Sequence, residues 1–114
     1  MNYTTLTYNL HYNKASQELR SVLKDCDPDI VFLQELTTDE ESMKTIMELG
    51  YELADFSNSF VKGKNIYGVA TFYRASLFTL QRTKSFNLPS SVIQMVTFLL
   101  KNRTNPRTVL RTDF

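Results

Sequence analysis

The sequence predicts an α/β fold built on a mixed β-sheet. A strand-like, a helix-like and a second strand-like segment follow one another within about 35 residues, which is the pattern of a βαβ unit. The second strand, Ile30–Leu33, is wholly apolar, as is typical of a strand buried on both faces. With 114 residues, 42% of them apolar and 22% charged, the chain has room for one globular domain with a core of its own.

The first three elements follow from local patterns. Residues 3–10 are rich in Thr and Tyr and favour a strand. After Asn13, a candidate helix cap, apolar residues recur at helical spacing until Asp27-Pro28-Asp29 ends the helix, because proline cannot continue it. We expect the helix to pack on the strands in one core that contains Leu19, Val22, Leu23, Ile30, Phe32 and Leu33.

The middle of the chain predicts a second helix and a third strand. The acidic run Thr37–Glu41 suits a helix start, since carboxylates complement the positive end of the helix dipole. Gly50 is a typical helix end. Tyr51–Phe56 then predicts a strand, and the polar segment from Ser57 to Asn65 predicts a loop.

The remaining segments predict strands and one short helix. We expect Tyr67–Tyr73 and Leu77–Gln81 to form an antiparallel hairpin, Val92–Leu100 to be helical and Thr108–Phe114 to be a strand. The sequence stops inside this last strand, with no turn after it. We therefore expect residues 1–114 to be a single, incomplete domain.

Charge is divided unevenly between the two halves of the chain. Residues 1–57 carry four basic and eleven acidic groups, whereas residues 58–114 carry nine basic groups and one acidic group. Such asymmetry marks an anion-facing surface in some proteins. The alternative is that the two halves lie side by side and neutralise each other.

Cysteine count and hydropathy restrict the environment. Cys26 is the only cysteine, so no internal disulfide is possible. The N-terminus lacks the pattern of a signal peptide, and no apolar run approaches the ~20 residues of a membrane span. We expect a soluble, cytoplasmic protein; the sequence indicates no oligomeric state.

Two polar residues stand where the first two strands end. Asn9 closes the first strand and Glu35 follows Ile30–Leu33. In open α/β sheets ligands bind beyond the carboxyl ends of the strands, and a carboxylate beside an amide suits Mg²⁺, which takes oxygen ligands. The alternative is that Glu35 caps a helix and Asn9 forms a turn.

These residues resemble the opening of the endonuclease/exonuclease/phosphatase superfamily, the metal-dependent phosphoesterases of the DNase I and apurinic-endonuclease type. That opening has an Asn after a strand, here in Thr7–Leu10, and then an apolar run ending in Leu-Gln-Glu, here Asp29–Glu35. Tyr67–Arg74 is similar to the family's next segment, a Gly followed by a strand of small apolar residues. The resemblance implies the N-terminal part of a four-layer α/β sandwich, with helices packed on one face of a mixed sheet.

The resemblance also implies roles for three residues. Glu35 is expected to be the acidic ligand of a Mg²⁺ or Mn²⁺ ion, and Asn9 the amide that places the metal or the scissile phosphate. His11 stands where some members carry an acidic residue, and it is a candidate substrate contact or a structural residue. Tyr8 and Tyr12 are either stacking groups for a substrate or packing residues.

The family's later motifs, a His after a strand, an Asp-x-Asn pair and a terminal Asp-His pair, are absent from these 114 residues. We therefore expect metal-dependent hydrolysis of phosphate esters in a complete protein and no turnover by this chain alone. The substrate is left open, nucleic acid included. The alternative is a non-catalytic α/β module that binds nucleic acid or another polyanion through its basic half. Its aromatic candidates are Phe60, Tyr67, Phe86 and Phe98, and its basic candidates are Lys62, Lys64, Arg82, Lys84, Arg103 and Arg107.

Overall fold

The computed structural model describes residues 2–87, 103–104 and 108–114. These ranges contain two helices and seven strands: β1 (Thr5–Asn9), α1 (Ser16–Cys26), β2 (Ile30–Thr37), α2 (Glu40–Met47), β3 (Glu52–Lys62), β4 (Asn65–Tyr73), β5 (Arg82–Asn87), β6 (Arg103–Thr104) and β7 (Thr108–Asp113). The predicted strand–helix–strand opening and the acidic second helix are both present.

The strands form a mixed five-stranded sheet and a separate two-stranded one. The larger sheet has the order β1-β2-β4-β3-β6, and β5 pairs with β7. Strands β1 and β2 are parallel, whereas β4 is antiparallel to both β2 and β3. The predicted mixed α/β architecture is confirmed.

A side-chain clamp fixes the start of the parallel pair. The Asp29 carboxylate accepts hydrogen bonds from the Thr4 backbone N–H at 2.7 Å and from the Thr4 hydroxyl at 3.0 Å. The Asp29 N–H in turn donates to the Thr4 carbonyl at 2.9 Å. These bonds set a register in which Thr5 lies opposite Ile30.

Hydrogen bonds to backbone groups mark the end of α1 and the start of α2. Helix α1 ends at Asp27, which has a left-handed φ of +44° and donates its N–H to the Leu23 carbonyl. Pro28 follows, where no helix can continue. Helix α2 begins after Asp39, whose carboxylate accepts the Ser42 N–H at 2.8 Å. The predicted helix stop and helix start are confirmed.

The core lies between the helices and one face of the sheet. It includes residues of α1, α2, β2 and β4: Leu19, Leu23, Met43, Ile46, Val31, Leu33, Ala70 and Phe72. Along β2 the buried positions alternate, because successive side chains of a strand point to opposite faces. The helices therefore pack on one face, as expected.

The opposite face of β2 is more open than predicted. Phe32 is 37% exposed and lies outside the core, while Val22 and Ile30 are only partly buried. The expectations of one core containing Phe32 and of a strand buried on both faces are therefore wrong. Strand β7 contacts β3 and β4, and just after β7 the ring of Phe114 meets the ring of Tyr73 at 5.2 Å.

The predicted hairpin has a different partner strand. Tyr67–Tyr73 pairs with β3, which extends through the segment predicted as a loop, and the two strands are joined at Gly63, whose φ of +63° suits a tight turn. Residues 77–81 form no strand; the N–H groups of Leu77 and Phe78 both donate to the Arg74 carbonyl in a turn. Pairing with the apolar β4 outweighs the polar, loop-like composition of residues 57–62.

Of the other two C-terminal predictions, one is confirmed and one concerns residues that are not described. The expected strand over 108–114 is present as β7. The predicted helix over 92–100 lies outside the described residues. Within the described ranges, neither helix has the length and apolar character required to cross a lipid bilayer.

Gly68 lies in β4, between β2 and β3. It stands opposite Leu36 on one side and Asn58 on the other. A Cβ atom at Gly68 would lie 2.1 Å from the Ser57 carbonyl oxygen and 2.9 Å from Cγ2 of Thr38. Only glycine fits this position without a shift of the backbone.

Candidate functional site

The parallel pairing of β1 and β2 brings Asn9 and Glu35 to the same end of the sheet. Asn9 lies opposite Gln34, and the next residue, Leu10, donates its N–H to the Gln34 carbonyl at 2.8 Å. Glu35 follows Gln34 directly. The two residues singled out from the sequence therefore stand at one rim of the sheet, with Asn9 as the last residue of β1 and Glu35 two residues before the end of β2. Open α/β sheets bind ligands near the carboxyl ends of parallel strands.

A β-bulge turns the chain at Glu35. The pairing of β2 with β4 shifts between Leu33, opposite Ala70, and Leu36, opposite Gly68. Glu35 lies in this bulge with a left-handed φ of +53°. Bulges are common next to active sites because they re-aim a side chain. The Glu35 carboxylate is half-buried, and its Oε2 accepts the Tyr12 N–H at 3.2 Å.

A left-handed turn follows Asn9. His11, Tyr12 and Asn13 have φ values of +49°, +58° and +65°. Each non-glycine residue costs about 1–2 kcal/mol in this region, so the turn persists only because other contacts hold it. Asn13, predicted as a helix cap, instead belongs to this turn, and α1 begins after Ala15.

Hydrogen bonds tie the turn to both candidate site residues. Oδ1 of Asn9 accepts the His11 N–H at 2.8 Å, so Asn9 does form a turn, as the structural alternative had it. The Glu35 carbonyl accepts the Asn13 N–H at 3.1 Å. Glu35 caps this turn rather than a helix. Amide and carboxylate oxygens accept more than one contact, so both side chains keep capacity for a ligand.

Among the described residues, His11 and the acidic side chains form no cluster of metal ligands. His11 is exposed, and its ring contacts the ring of Tyr12, with centroids 5.5 Å apart. In residues 2–87, 103–104 and 108–114 there is no group of three or more His, Cys, Asp or Glu side chains that could hold a metal.

An aromatic cluster supports the turn from the β3–β4 hairpin. The rings of Phe60 and Tyr67 stack at 5.3 Å, and the ring of Tyr12 meets each of them edge-on at 5.6 Å. The Lys62 ammonium lies 3.7 Å from the centre of the Tyr12 ring, a cation–π contact. The packing alternative for Tyr12 is therefore what the structure shows.

Sequence reasoning did not find this cluster as a unit. Tyr12 and the hairpin residues are about 50 positions apart in the sequence, and segment 57–65 was expected to be a loop. A signal was present in the alternation of Phe60 with Lys62, which places both side chains on the same face of a strand.

Ion pairs form both between and within the two charged halves of the chain. Arg74 of the basic half pairs with Asp27 of the acidic half at the opposite end of the sheet from Glu35. Arg82 and Arg111 both pair with Asp113 of their own half. Hydrogen bonds from these two arginines lower the pKa of Asp113. Of these pairs, Arg82–Asp113 joins β5 to β7.

Arg74 also lies on Tyr51 near that opposite end. Its guanidinium is 4.5 Å from the ring centre, and the buried Tyr51 hydroxyl donates to the Pro28 carbonyl at 2.8 Å. Burial raises the pKa of Tyr51, and the charge of Arg74 opposes the rise. This cluster fastens the start of β2 to the end of β4.

A groove of about 250 Å³ lies between the two helices, behind the turn. Its floor is apolar, with Leu10 and Leu36 among the lining residues, and Arg20 and Glu41 line it as well. Oδ1 of Asn13 is buried with no hydrogen-bond partner among the described residues. Asn13 therefore has its side chain at the groove and its N–H on Glu35.

Comparison with known proteins identifies the fold. The model of the endonuclease/exonuclease/phosphatase family matches residues 6–108. The crystal structure of ANGEL2, described as a 2′,3′-cyclic phosphatase, matches with a TM-score of 0.65 and 15% identity, covering 96% of this chain and 36% of that chain. No curated protein sequence matches the chain.

Two further structures share the architecture. The human Nocturnin catalytic domain with bound sulfate matches with a TM-score of 0.54 and 22% identity, covering 69% of this chain and 31% of that one. A humanised D. rerio TDP2 with 14 mutations matches with a TM-score of 0.55 and 17% identity, covering 79% and 37%. This chain thus spans about a third of the length of these proteins. The family model extends over nearly the whole chain, and these structures share its fold, so the protein belongs to the endonuclease/exonuclease/phosphatase family.

Proposed function

We propose that the chain is part of a hydrolase that cleaves phosphate esters with a divalent metal ion, Mg²⁺ or Mn²⁺. One observation carries the proposal: Asn9 and Glu35 stand at the same rim of the sheet, and the carboxylate is held by the backbone of the turn that follows Asn9. Family membership supports it. So do a solved relative described as a 2′,3′-cyclic phosphatase and another that binds sulfate, an oxyanion with the shape of phosphate.

The residues at the rim fit such a metal ion. Carboxylate and amide oxygens are hard ligands, and Mg²⁺ is commonly held by one or two carboxylates while it keeps several of its waters. Glu35 would be the acidic ligand. A bound ion would supply positive charge beside a phosphate oxygen and so stabilise the charge that develops during hydrolysis.

The chain's own groups would have distinct tasks. Since Oε2 of Glu35 accepts the Tyr12 N–H, the other carboxylate oxygen would face the metal. Since Oδ1 of Asn9 accepts the His11 N–H, its NH₂ group would donate to a phosphate oxygen. The exposed His11 ring would contact the substrate from the outer side of the turn.

Activity would need groups that the 114 residues do not carry. Hydrolysis requires a base that activates water. In this proposal Glu35 binds the metal and Asn9 binds the phosphate, so neither is available as that base. We therefore propose that the chain alone is inactive and binds Mg²⁺ weakly.

The alternative, a module that binds nucleic acid through the basic half, has less support. Phe60 and Tyr67 pack against Tyr12, and Lys62 lies on the same ring. Arg82 pairs with Asp113. Contacts within the protein thus engage four of the ten groups on which this alternative depends.

Paramagnetic line broadening in NMR spectra tests the metal role on this chain. Micromolar Mn²⁺ should broaden amide signals near residues 9–13 and 34–36 first, because the ion relaxes only nearby protons. Glu35→Gln should remove this selectivity, whereas Glu41→Gln, an exposed helix carboxylate, should preserve it. Broadening that is unchanged by Glu35→Gln would contradict the proposal. Salt-dependent binding of an oligonucleotide without metal would favour the alternative.

A further inference from the structure

We propose that Tyr12 is a positioning residue that holds the Glu35 carboxylate in the orientation needed to bind a metal. The inference rests on the metal role proposed for Glu35. It concerns the backbone N–H of Tyr12 and the ring of the same residue, which act together, and it gives a function to the aromatic cluster on the β3–β4 hairpin.

Two strained pieces of backbone face each other at the rim. The turn at residues 11–13 and the bulge at Glu35 both have left-handed φ values, although none of the four residues is glycine. Such backbone persists only where its surroundings over-determine it, and it concentrates at functional sites.

The two pieces hold each other through two parallel contacts. The Tyr12 N–H donates to Oε2 of Glu35 at 3.2 Å, and the Asn13 N–H donates to the Glu35 carbonyl at 3.1 Å. The first contact holds the carboxylate and the second holds the backbone of the same residue. The turn therefore selects one orientation of the Glu35 carboxylate.

The Tyr12 ring keeps the turn in place. Phe60 and Tyr67 contact it edge-on, and Lys62 lies over its face. All three belong to the β3–β4 hairpin, and Tyr67 lies opposite Thr37, two residues after Glu35. Rotation of the peptide that would swing the Tyr12 N–H away from Glu35 would also have to pull the ring out of this cluster.

The β3–β4 hairpin therefore stabilises the orientation of Glu35 indirectly, through the Tyr12 ring. Removing the ring leaves the N–H in the chain but removes what aims it, so the carboxylate gains other rotamers. Loss of groups that orient a metal ligand typically lowers metal affinity by about 10–100-fold. We expect a loss near the lower limit, since the Asn13 contact to the Glu35 carbonyl persists.

The experiment is a Mn²⁺ titration of the 114-residue chain followed by NMR line broadening at residues 34–36. Tyr12→Ala should raise the apparent Kd roughly tenfold. Tyr12→Phe, which keeps the ring, should stay within about twofold of the original chain. Tyr3→Ala removes an exposed ring that packs on Phe78 away from the rim, and it should change nothing.

A second readout needs no metal. Tyr12→Ala should shift the ¹³C signal of the Glu35 carboxyl and speed hydrogen exchange of the residue 12 amide, while core amides such as that of Phe72 keep their protection. If Tyr12→Ala does not fold, Phe60→Leu loosens the cluster with Tyr12 intact and should move both readouts in the same direction.

The outcomes separate the two proposals. If Glu35→Gln abolishes selective broadening but Tyr12→Ala and Phe60→Leu leave the Kd and the Glu35 signal unchanged, the positioning role is wrong and the metal role stands. If Glu35→Gln has no effect on broadening, the metal role is wrong, and the positioning role fails with it.

Discussion

Replacement of Gly68 by alanine should destabilise the fold strongly, although it adds a single methyl group. The new Cβ would lie 2.1 Å from the Ser57 carbonyl oxygen, where ordinary contact begins at 3.4 Å. The strands must therefore separate locally by about 1.3 Å. The obstructing atom belongs to the backbone of β3, so no side-chain rotation relieves the clash.

We expect Gly68→Ala to lower the free energy of unfolding by about 3 kcal/mol, the upper end of the range for overpacking. For a urea m value of about 1.5 kcal/mol/M, the midpoint should fall by about 2 M. The assay is urea unfolding of the 114-residue chain followed by circular dichroism, with equal m values as the check that both variants unfold in the same way.

Gly63→Ala is the matched control. Gly63 has a φ of +63°, but a Cβ there meets no atom within 4 Å. That change adds only the left-handed backbone penalty of about 1–2 kcal/mol. If Gly68→Ala proves no more destabilising than Gly63→Ala, close approach of the strands is not the reason for glycine at position 68.

Three other outcomes are expected. In a longer form of the protein that hydrolyses phosphate esters, Glu35→Gln should remove most activity while the free energy of unfolding falls by no more than about 1 kcal/mol, because the glutamine oxygen can still accept the Tyr12 N–H; calorimetry of this chain at millimolar Mg²⁺ should show little heat, and robust hydrolysis by the chain alone would contradict its proposed incompleteness. Because its arginine partners lower the pKa of Asp113, this group stabilises the β5–β7 pair above the usual carboxyl pKa, and the effect is lost as pH falls through the lowered value; the protection factors of β5 amides, which correct exchange rates for their intrinsic pH dependence, should therefore fall on acidification less in Asp113→Asn than in the original chain. Tyr51→Phe leaves the Pro28 carbonyl without its donor and should lower the free energy of unfolding by about 1–3 kcal/mol in urea.

Local patterns in the sequence predicted the elements that a single segment determines. The spacing of Leu19 and Leu23 and the proline after Asp27 are enough to place α1, because helix faces and helix stops depend on neighbours within a turn or two. The adjacency of Asn9 and Glu35 also followed, since a βαβ unit aligns the ends of its two strands.

What escaped prediction depends on contacts between distant segments. Residues 57–62 have a loop-like composition, and only their pairing with β4 makes them a strand. Phe32 sits in an apolar run, yet alternation directs it away from the helices. The bulge at Glu35 is an arrangement of β2 against β4, and the turn around Tyr12 is held by hydrogen bonds to Glu35. Neither has a signature in its own segment.

The clamp between Thr4 and Asp29 has a consequence at the far end of the same strands. Parallel strands with small polar residues, such as the threonines of β1, slip easily, and a slip of one residue would exchange the two faces of the strand. Asn9 would then point where Tyr8 now points, toward α1, where the Tyr8 hydroxyl meets Glu18. The clamp stands at the opposite end of β1 from Asn9 and touches no group of the proposed site. The clamp nevertheless determines which side chain of β1 lies beside Glu35. A variant such as Asp29→Ala would therefore lose the proposed site if β1 shifted by one residue against β2, without any change to the site residues themselves.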